Sequence, residues 1–425
     1  MTTCAMQTKS ILPLSALLNT SHENSDEFPV LLKLNKKRVR SKAGTTYQII
    51  RYDKDFLSFD LYLDLGMYRS IILNLDTKKV AAMAPPKSLH LENQTFKDID
   101  FKDIQVQEFV EGTMINVFWD NSNNIWEIST RSSIGANVKF YQGKDAKTFK
   151  QMFEETLESI GEKELFNKLD KNLMYSFVIQ HPENRIVTPF NEPNLYLIDI
   201  YHFRYEDDNI NVKSYNVQNP ELSVVEQEIF NAVVKDSKIK LPKIYSEYNS
   251  IEECISYFRS GDVSYHVVGA VFKHIKSNIR SKVRNPVYEE IRHLKGNYPK
   301  KQYRYLALRK SGKMTDYLNI FKEDKEDFSH YREICHNFIN RIYKYYVGCY
   351  MKKEKELKCY PFQYRTHMIA LHQLYVHRLK PEGDYIRKHH VIDYFNLLHP
   401  SQQMFALNYN MRKLSLDTFV AENNN

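Results

Sequence analysis

Glycine is scarce in this chain, at 12 residues in 425. None of them forms a GxxxxGK[ST] loop, which excludes P-loop nucleotide chemistry. Cysteine is scarcer still. The five, at positions 4, 254, 335, 349 and 359, are odd in number, widely spaced and without a CxxC pair. That excludes a disulfide framework and speaks against a zinc site, so free thiols in a reducing, cytoplasmic compartment are expected. Apolar runs are short, Ile71-Ile72-Leu73 being typical, and no membrane span or membrane partner is expected. The first twenty residues hold one lysine and a brief apolar patch with no small-residue cleavage site, and read as mature protein. His367, His372 and His377 recur every five residues, which does not put them on one helical face. They and His389-His390 are expected to be surface or core residues, and no metal site is expected.

What is present describes a globular protein. Hydrophobic content is 42% and aromatic content 13%, with 30 Tyr and 24 Phe, enough core for two or three domains. The net charge of +8 is uneven. From Ser281 onward there are 26 Lys and Arg against 15 Asp and Glu, while the rest of the chain is slightly acidic. An acidic partner docking on the C-terminal third is the natural inference, with nucleic acid the commonest such partner and a solubilising face the bland alternative.

Periodicity gives the outline. Period-two patterns predict strands at 47–52, 68–74, 79–83, 114–119, 126–131, 173–179, 195–201 and 265–273. The turn chemistry at 120–124 makes a hairpin of the fourth and fifth. Helices are expected at 146–169, at 221–235 and from Ser250, where Glu253 suits a capping box. Beyond 287 the pattern is helical, with a stripe through Phe328, Tyr331, Cys335, Phe338, Ile342, Tyr345 and Cys349, then helices near 362–379 and 385–398. The expected organisation is a peripheral N-terminal arm (1–45), an α+β body of antiparallel sheets with interspersed helices (46–286), and a basic all-helical domain (287–425). Interleaved aromatic and basic residues, as in Asn297–Tyr305, suit base stacking with phosphate contact or, equally, a core stripe with a solvated flank.

One stretch is chemically suggestive, Glu108-Phe-Val-Glu-Gly-Thr-Met-Ile-Asn-Val-Phe118. It resembles the Lys-x-Asp/Glu-Gly nucleophile motif of covalent nucleotidyltransferases, with Glu111-Gly112 as its second half and Phe109 in the lysine's place. Other stretches follow in the order of phage-type RNA ligases, across about residues 60–290. Tyr68-Arg69-Ser70-Ile71 is similar to their Arg-Gly strand. Ala84-Pro-Pro-Lys-Ser88 stands at their Pro-x-Lys element. Ser129-Thr-Arg-Ser-Ser-Ile-Gly135 is similar to Ser-Lys-Gly-Ser-Ile, and His181-Pro-Glu-Asn-Arg-Ile-Val187 to Pro-x-Asn-Arg-Ile-Val. Val268-Gly269-Ala-Val271 stands at Glu-Gly-x-Val, and Lys282-Val-Arg284 at the closing Lys-x-Lys. The Glu-Gly-Thr-Met-Ile-Asn block is also similar to one in proteins of large DNA viruses, which for a viral protein would mean the host cytoplasm.

The resemblance implies a nucleotidyltransferase body (ATP-grasp-like, RNA ligase type) handling ATP or GTP with Mg²⁺. In that chemistry a lysine amine attacks the α-phosphate, basic groups neutralise phosphate charge, and carboxylates place the ribose or the metal. Three of those groups are replaced here. Phe109 stands for the lysine, and Val178 and Val268 stand for two motif glutamates. The resemblance places Arg69, Arg131, Lys282 and Arg284 on the phosphate side of the cleft, with Lys87, Glu111 and Asn184 nearby. Each has a plainer reading: Glu111-Gly112 as a strand-end turn, Arg131 as a surface arginine, Lys87 as a phosphate contact. The leading expectation is a ligase fold without covalent transfer that binds RNA or nucleotide. The alternatives are an active ATP-dependent RNA ligase with a displaced lysine, Lys87 being the candidate, and a structural or virion scaffold protein.

Overall fold

The computed structural model describes residues 11–18, 34–55, 65–89, 99–141, 146–215, 224–275 and 279–414. The chain divides into two compact units, Met1–Arg292 and His293–Asn425. The division falls inside the helix that begins at Pro286, a few residues past the boundary expected from sequence.

The first unit holds three sheets whose neighbouring strands are all antiparallel. A six-stranded sheet runs in the order β1 (Ile11–Pro13), β11 (Asn209–Tyr215), β10 (Asn194–Glu206), β9 (Leu173–Gln180), β7 (Thr113–Asp120), β8 (Ile125–Ser129). A four-stranded sheet is β2 (Leu34–Arg40), β3 (Thr46–Tyr52), β4 (Ile71–Asn74), β5 (Lys79–Met83). A three-stranded sheet is β13 (Arg280–Arg284), β12 (Gly269–His274), β6 (Ile104–Glu108).

Alternation along each strand decides what it packs against. On β7 and β9, Ile115, Val117, Tyr175 and Phe177 face a core completed by Met152, Phe153 and Leu157 of helix α2 (Phe149–Ser159). Phe118 and Met174 face the other way, into a core shared with Tyr47, Ile49 and Ile72 of the four-stranded sheet. Both faces of the large sheet are therefore buried. The three-stranded sheet has an apolar face, where Val106, Ala270, Phe272 and Val283 pack on Cys254 and Phe258 of α4 (Ile251–Arg259), and a polar one that carries Gln105, Gln107, Lys273 and the cations of β13. Between α2 and α4 lies α3 (Val224–Val234).

Several elements depart from expectation. Residues 1–45 were expected as an arm, yet Ile11–Pro13 and Leu34–Arg40 are edge strands of the body sheets, with Leu12, Leu34 and Val39 packed in or against a core. The polar run 19–26 lies outside the described residues. Strand 68–74 shrinks to β4, because residues before Ile71 form a turn that returns Lys87 N–H to the Gly66 carbonyl. Strand 126–131 stops at Ser129, where a Thr130–Ser133 turn takes over. Strand 265–273 starts only at Gly269. That residue has φ +138°, and an added Cβ would stand 2.1 Å from the Val283 carbonyl oxygen. Helix 146–169 ends at Ser159, before Gly161 at φ +77°. Ser250 caps α4 through Glu253 N–H, but Glu253 itself accepts from Asn249 N–H, so the box is half formed. Strands β6, β11 and β13 carried no sequence expectation.

The second unit contains α6 (Lys301–Ser311), α7 (Met314–Ile320), α8 (Lys325–Tyr346), α9 (Phe362–Leu374), α10 (Lys388–Leu397) and α11 (Pro400–Leu407), preceded by the end of α5 (Pro286–Lys295). The expected α8 stripe buries Phe328, Cys335, Phe338 and Ile342, with Ile339 and Tyr346 added. Arg304 is fully buried, donating to the Tyr317 hydroxyl (3.2 Å), the Asp324 carboxylate (3.3 Å) and the Tyr298 carbonyl (3.0 Å). His367 and His372 serve packing. His367 Nδ1 lies 2.8 Å from the Tyr394 hydroxyl, and His372 stacks on Tyr350 at 3.9 Å. Among the described residues no helix is long and apolar enough to cross a membrane.

Candidate nucleotide site

The polar face of the three-stranded sheet explains the site. On β13 the sequence Arg280-Ser-Lys-Val-Arg284 alternates, so Ser281 and Val283 are buried and the three cations share the opposite face. The register sets Lys282 across from Val271 and Arg280 across from Lys273. These side chains line a cavity of about 280 Å³. Loops from the other sheets close it. Arg69 comes from the turn before β4, Lys87 from the segment after β5, and Arg131 from the turn after β8; Lys54 follows β3. An apolar wall stands opposite, made by Val110, Met114, Val178 and Ile198.

Eight cationic side chains thus line one cavity with a single carboxylate, Glu108, among them. Their acid–base behaviour reflects that crowding. Burial, then Arg284, Lys87, Arg69 and Arg280, depress the Lys282 amine to about 7. Burial, then Arg280, lower the Arg69 guanidinium to about 10. Burial, then Arg69 and Lys54, lower Lys87. Lys273 is lowered by burial, against the pull of Asp199, to which it donates at 3.0 Å. Arg280 Nε and Nη1 and Arg284 Nε are buried without a hydrogen-bond partner. Such donors cost free energy unless an acceptor arrives, and an anion supplies acceptors.

The cavity brings together seven of the expected positions from six separate stretches: Arg69, Lys87, Phe109, Arg131, Val178, Lys282 and Arg284. Phe109 holds the expected lysine's place, its ring centroid 5.8 Å from Lys282 Nζ and 5.2 Å from the Arg284 guanidinium carbon. Arg284 is also ion-paired to Glu289 of α5 at 2.5 Å, so its charge is partly spent within the fold.

Four expected positions do not line the cavity. Glu111 is buried and accepts from the backbone N–H groups of Val187 (2.7 Å) and Thr188 (3.2 Å), fastening that loop to β7. Gly112 has φ +147°, and an added Cβ would meet the Ile179 carbonyl oxygen at 2.3 Å. Asn184 is buried and donates to the Thr113 hydroxyl at 2.8 Å. Val268 is buried beside the cavity, its carbonyl accepting from Asn285 N–H. The Glu111-Gly112 pair therefore has a structural task, closing the β7–β9 approach. Sequence reading missed Lys54, Lys273 and Arg280. The alternation of β13 could have pointed to Arg280; nothing local pointed to the other two.

In sequence the chain is similar to an RNA ligase of Rhodothermus phage RM378, 25% identical over 261 residues, which is 56% of each protein. The chain thus spans about half the length of that curated relative. On this match the chain is RNA-ligase-like in sequence. No protein-family model matches it. Solved structures with partial overlap include an archaeal ATP-dependent RNA ligase (TM-score 0.40, 13% identity, 75% of this chain and 78% of that one). A Naegleria gruberi RNA ligase with ATP and Mn overlaps with TM-score 0.33 and 13% identity, over 63% of this chain and 83% of that one.

Proposed function

We propose that this chain binds a nucleotide or a 5′-phosphorylated RNA end in the cation-lined cavity and performs no covalent nucleotidyl transfer. The observation that carries the reading is Phe109, which stands at the motif's lysine position among the cavity's cations. Its ring has no nucleophile to form a phosphoramidate. The surrounding guanidinium and ammonium groups suit phosphate oxygens, and Arg131 in place of a lysine allows a two-pronged contact. RNA as the partner is supported by the sequence match to a phage RNA ligase and by the positive excess after Ser281. Phosphate contacts of that kind are salt-sensitive. The test is incubation with α-labelled ATP or GTP and Mg²⁺. A denaturing gel is expected to carry no labelled protein band, while equilibrium binding of the same nucleotide is retained. A stoichiometric band sinks the reading.

A second reading, a displaced nucleophile, is favoured by one observation: Lys87 and Lys282 both line the cavity with lowered amine pKa values. Either amine, once deprotonated, would attack the α-phosphate, form a P–N bond and release pyrophosphate. Peptide mapping of any labelled protein to Lys87 or Lys282 identifies it.

A further inference from the structure

We infer that the cavity takes its polyphosphate free of divalent metal, with its own side chains supplying the positive charge that the ligase resemblance assigns to Mg²⁺. This rests on the proposed binding of a polyphosphate there.

The donor set does not fit a divalent ion. Mg²⁺ takes oxygen ligands in near-octahedral order, commonly one or two carboxylates together with phosphates and water. Among the described residues Glu108 is the one carboxylate lining the cavity, and its Oε2 already accepts from Lys243 N–H at 3.1 Å. Asp199, behind the wall, is taken by Lys273 (3.0 Å), the Tyr201 hydroxyl (3.2 Å) and the Ser214 hydroxyl (3.3 Å). Glu111 is taken by two backbone N–H groups. The positions that the resemblance gives to two motif acids are Val178 and Val268. No cluster of three or more His, Cys, Asp or Glu suited to a metal occurs among the described residues.

The same cavity is well matched to a bare polyanion. Eight cations already face it, so a divalent ion entering with the ligand meets like charge on most sides. The orphan donors of Arg280 and Arg284 are satisfied by phosphate oxygens and not by a metal. Each oxygen that Mg²⁺ holds is one fewer acceptor for those guanidinium groups.

The experiment is calorimetric titration of the full chain with ATP and with inorganic tripolyphosphate, in EDTA and again in excess Mg²⁺. Both ligands are expected to bind in EDTA, and affinity is expected to weaken about tenfold when Mg²⁺ saturates the ligand, the loss of one charge-assisted contact. Glu108→Gln should bind as well or better in EDTA, and Arg280→Met should bind about tenfold more weakly. Binding seen only with Mg²⁺, or a Glu108→Gln chain that loses it, overturns the inference and leaves nucleotide binding standing. Unchanged affinity in a folded Arg280→Met chain also overturns it, since the ligand then sits elsewhere. No binding in either buffer removes the proposed function itself.

Discussion

The two units carry their positive charge in opposite ways. The C-terminal unit is rich in Lys and Arg, and several of those side chains are spent locally. Arg304 is locked to Asp324, Lys301 bridges Asp324 and Asp327, and Arg365 donates to the carbonyls of Tyr360 and Lys358. The first unit is close to neutral over its length but focuses eight cations on one cavity with one lining carboxylate. Net charge over a segment favours an anionic partner but does not by itself locate the anion's site. Convergence, with desolvation and unsatisfied donors, says more. The depressed amine of Lys282 marks the difference, since partnered cations such as Lys301 are shifted upward by their acids, against the opposing effect of burial.

The sharpest way to break this comparison is the double change Arg131→Ala with Lys282→Ala. Each lost charge-assisted contact costs about 1.5–3 kcal/mol, so nucleotide affinity should fall about a hundredfold or more with little change in melting temperature. Titration and thermal melting of the folded double mutant check both. Unchanged binding means the cavity is vestigial, and a large melting loss means the two cations are structural partners.

The reverse outcome is expected from Arg304→Met in the C-terminal unit. Breaking a buried ion pair from one side costs about 3–5 kcal/mol. The network survives in part through Tyr317 and Lys301, which places the loss toward the lower end. Chemical denaturation should register it, while nucleotide affinity at the cavity stays as it was.

Glu111→Ala sharpens the comparison inside the first unit. It strands the N–H groups of Val187 and Thr188, for about 1–3 kcal/mol of stability. Nucleotide affinity should hold once the chain is folded. A selective loss of affinity with normal stability would return Glu111 to the ligand.

The smallest effect is in pH. Lys282 titrates at about 7 in the free chain, and a bound polyphosphate raises that value by adding negative charge. A group whose pKa rises on binding contributes fully below its free value, so affinity should be level below about pH 7. Above it, affinity should fall by up to about tenfold per pH unit (~1.4 kcal/mol) until the bound-state value is passed. Lys282→Arg should flatten the profile. A level wild-type profile from pH 6 to 9 would show that Lys282 takes no part.

Much of the body was legible in sequence because strand period and turn chemistry are local. The 120–124 hairpin, the Ser250 cap and the α8 stripe all depend on neighbours within a few residues. Short or two-sided strands were not legible. Strand β13 shows only five residues, three of them charged, and its alternation acquires meaning once α4 covers one face. Asn184 and Glu111 looked like site residues because motif order does not say which way a side chain points. Their hydrogen bonds turn them into the loop and strand framework instead.

By itself the amino-acid order determined the α+β class of the fold and the residue types at the motif-like positions, where Phe109, Val178 and Val268 stand at places the resemblance gives to a lysine and two acids. It also determined where the arginines and lysines lie along the chain. Only the tertiary structure decided which of them share a cavity. Arg69, Arg131 and Lys282 come from three different sheet surroundings, and Lys273 and Arg280 join them through a strand register that no local pattern records. The physical reason is range. Backbone periodicity acts over a few residues, whereas the field of a site is a sum over charges brought together by sheet packing.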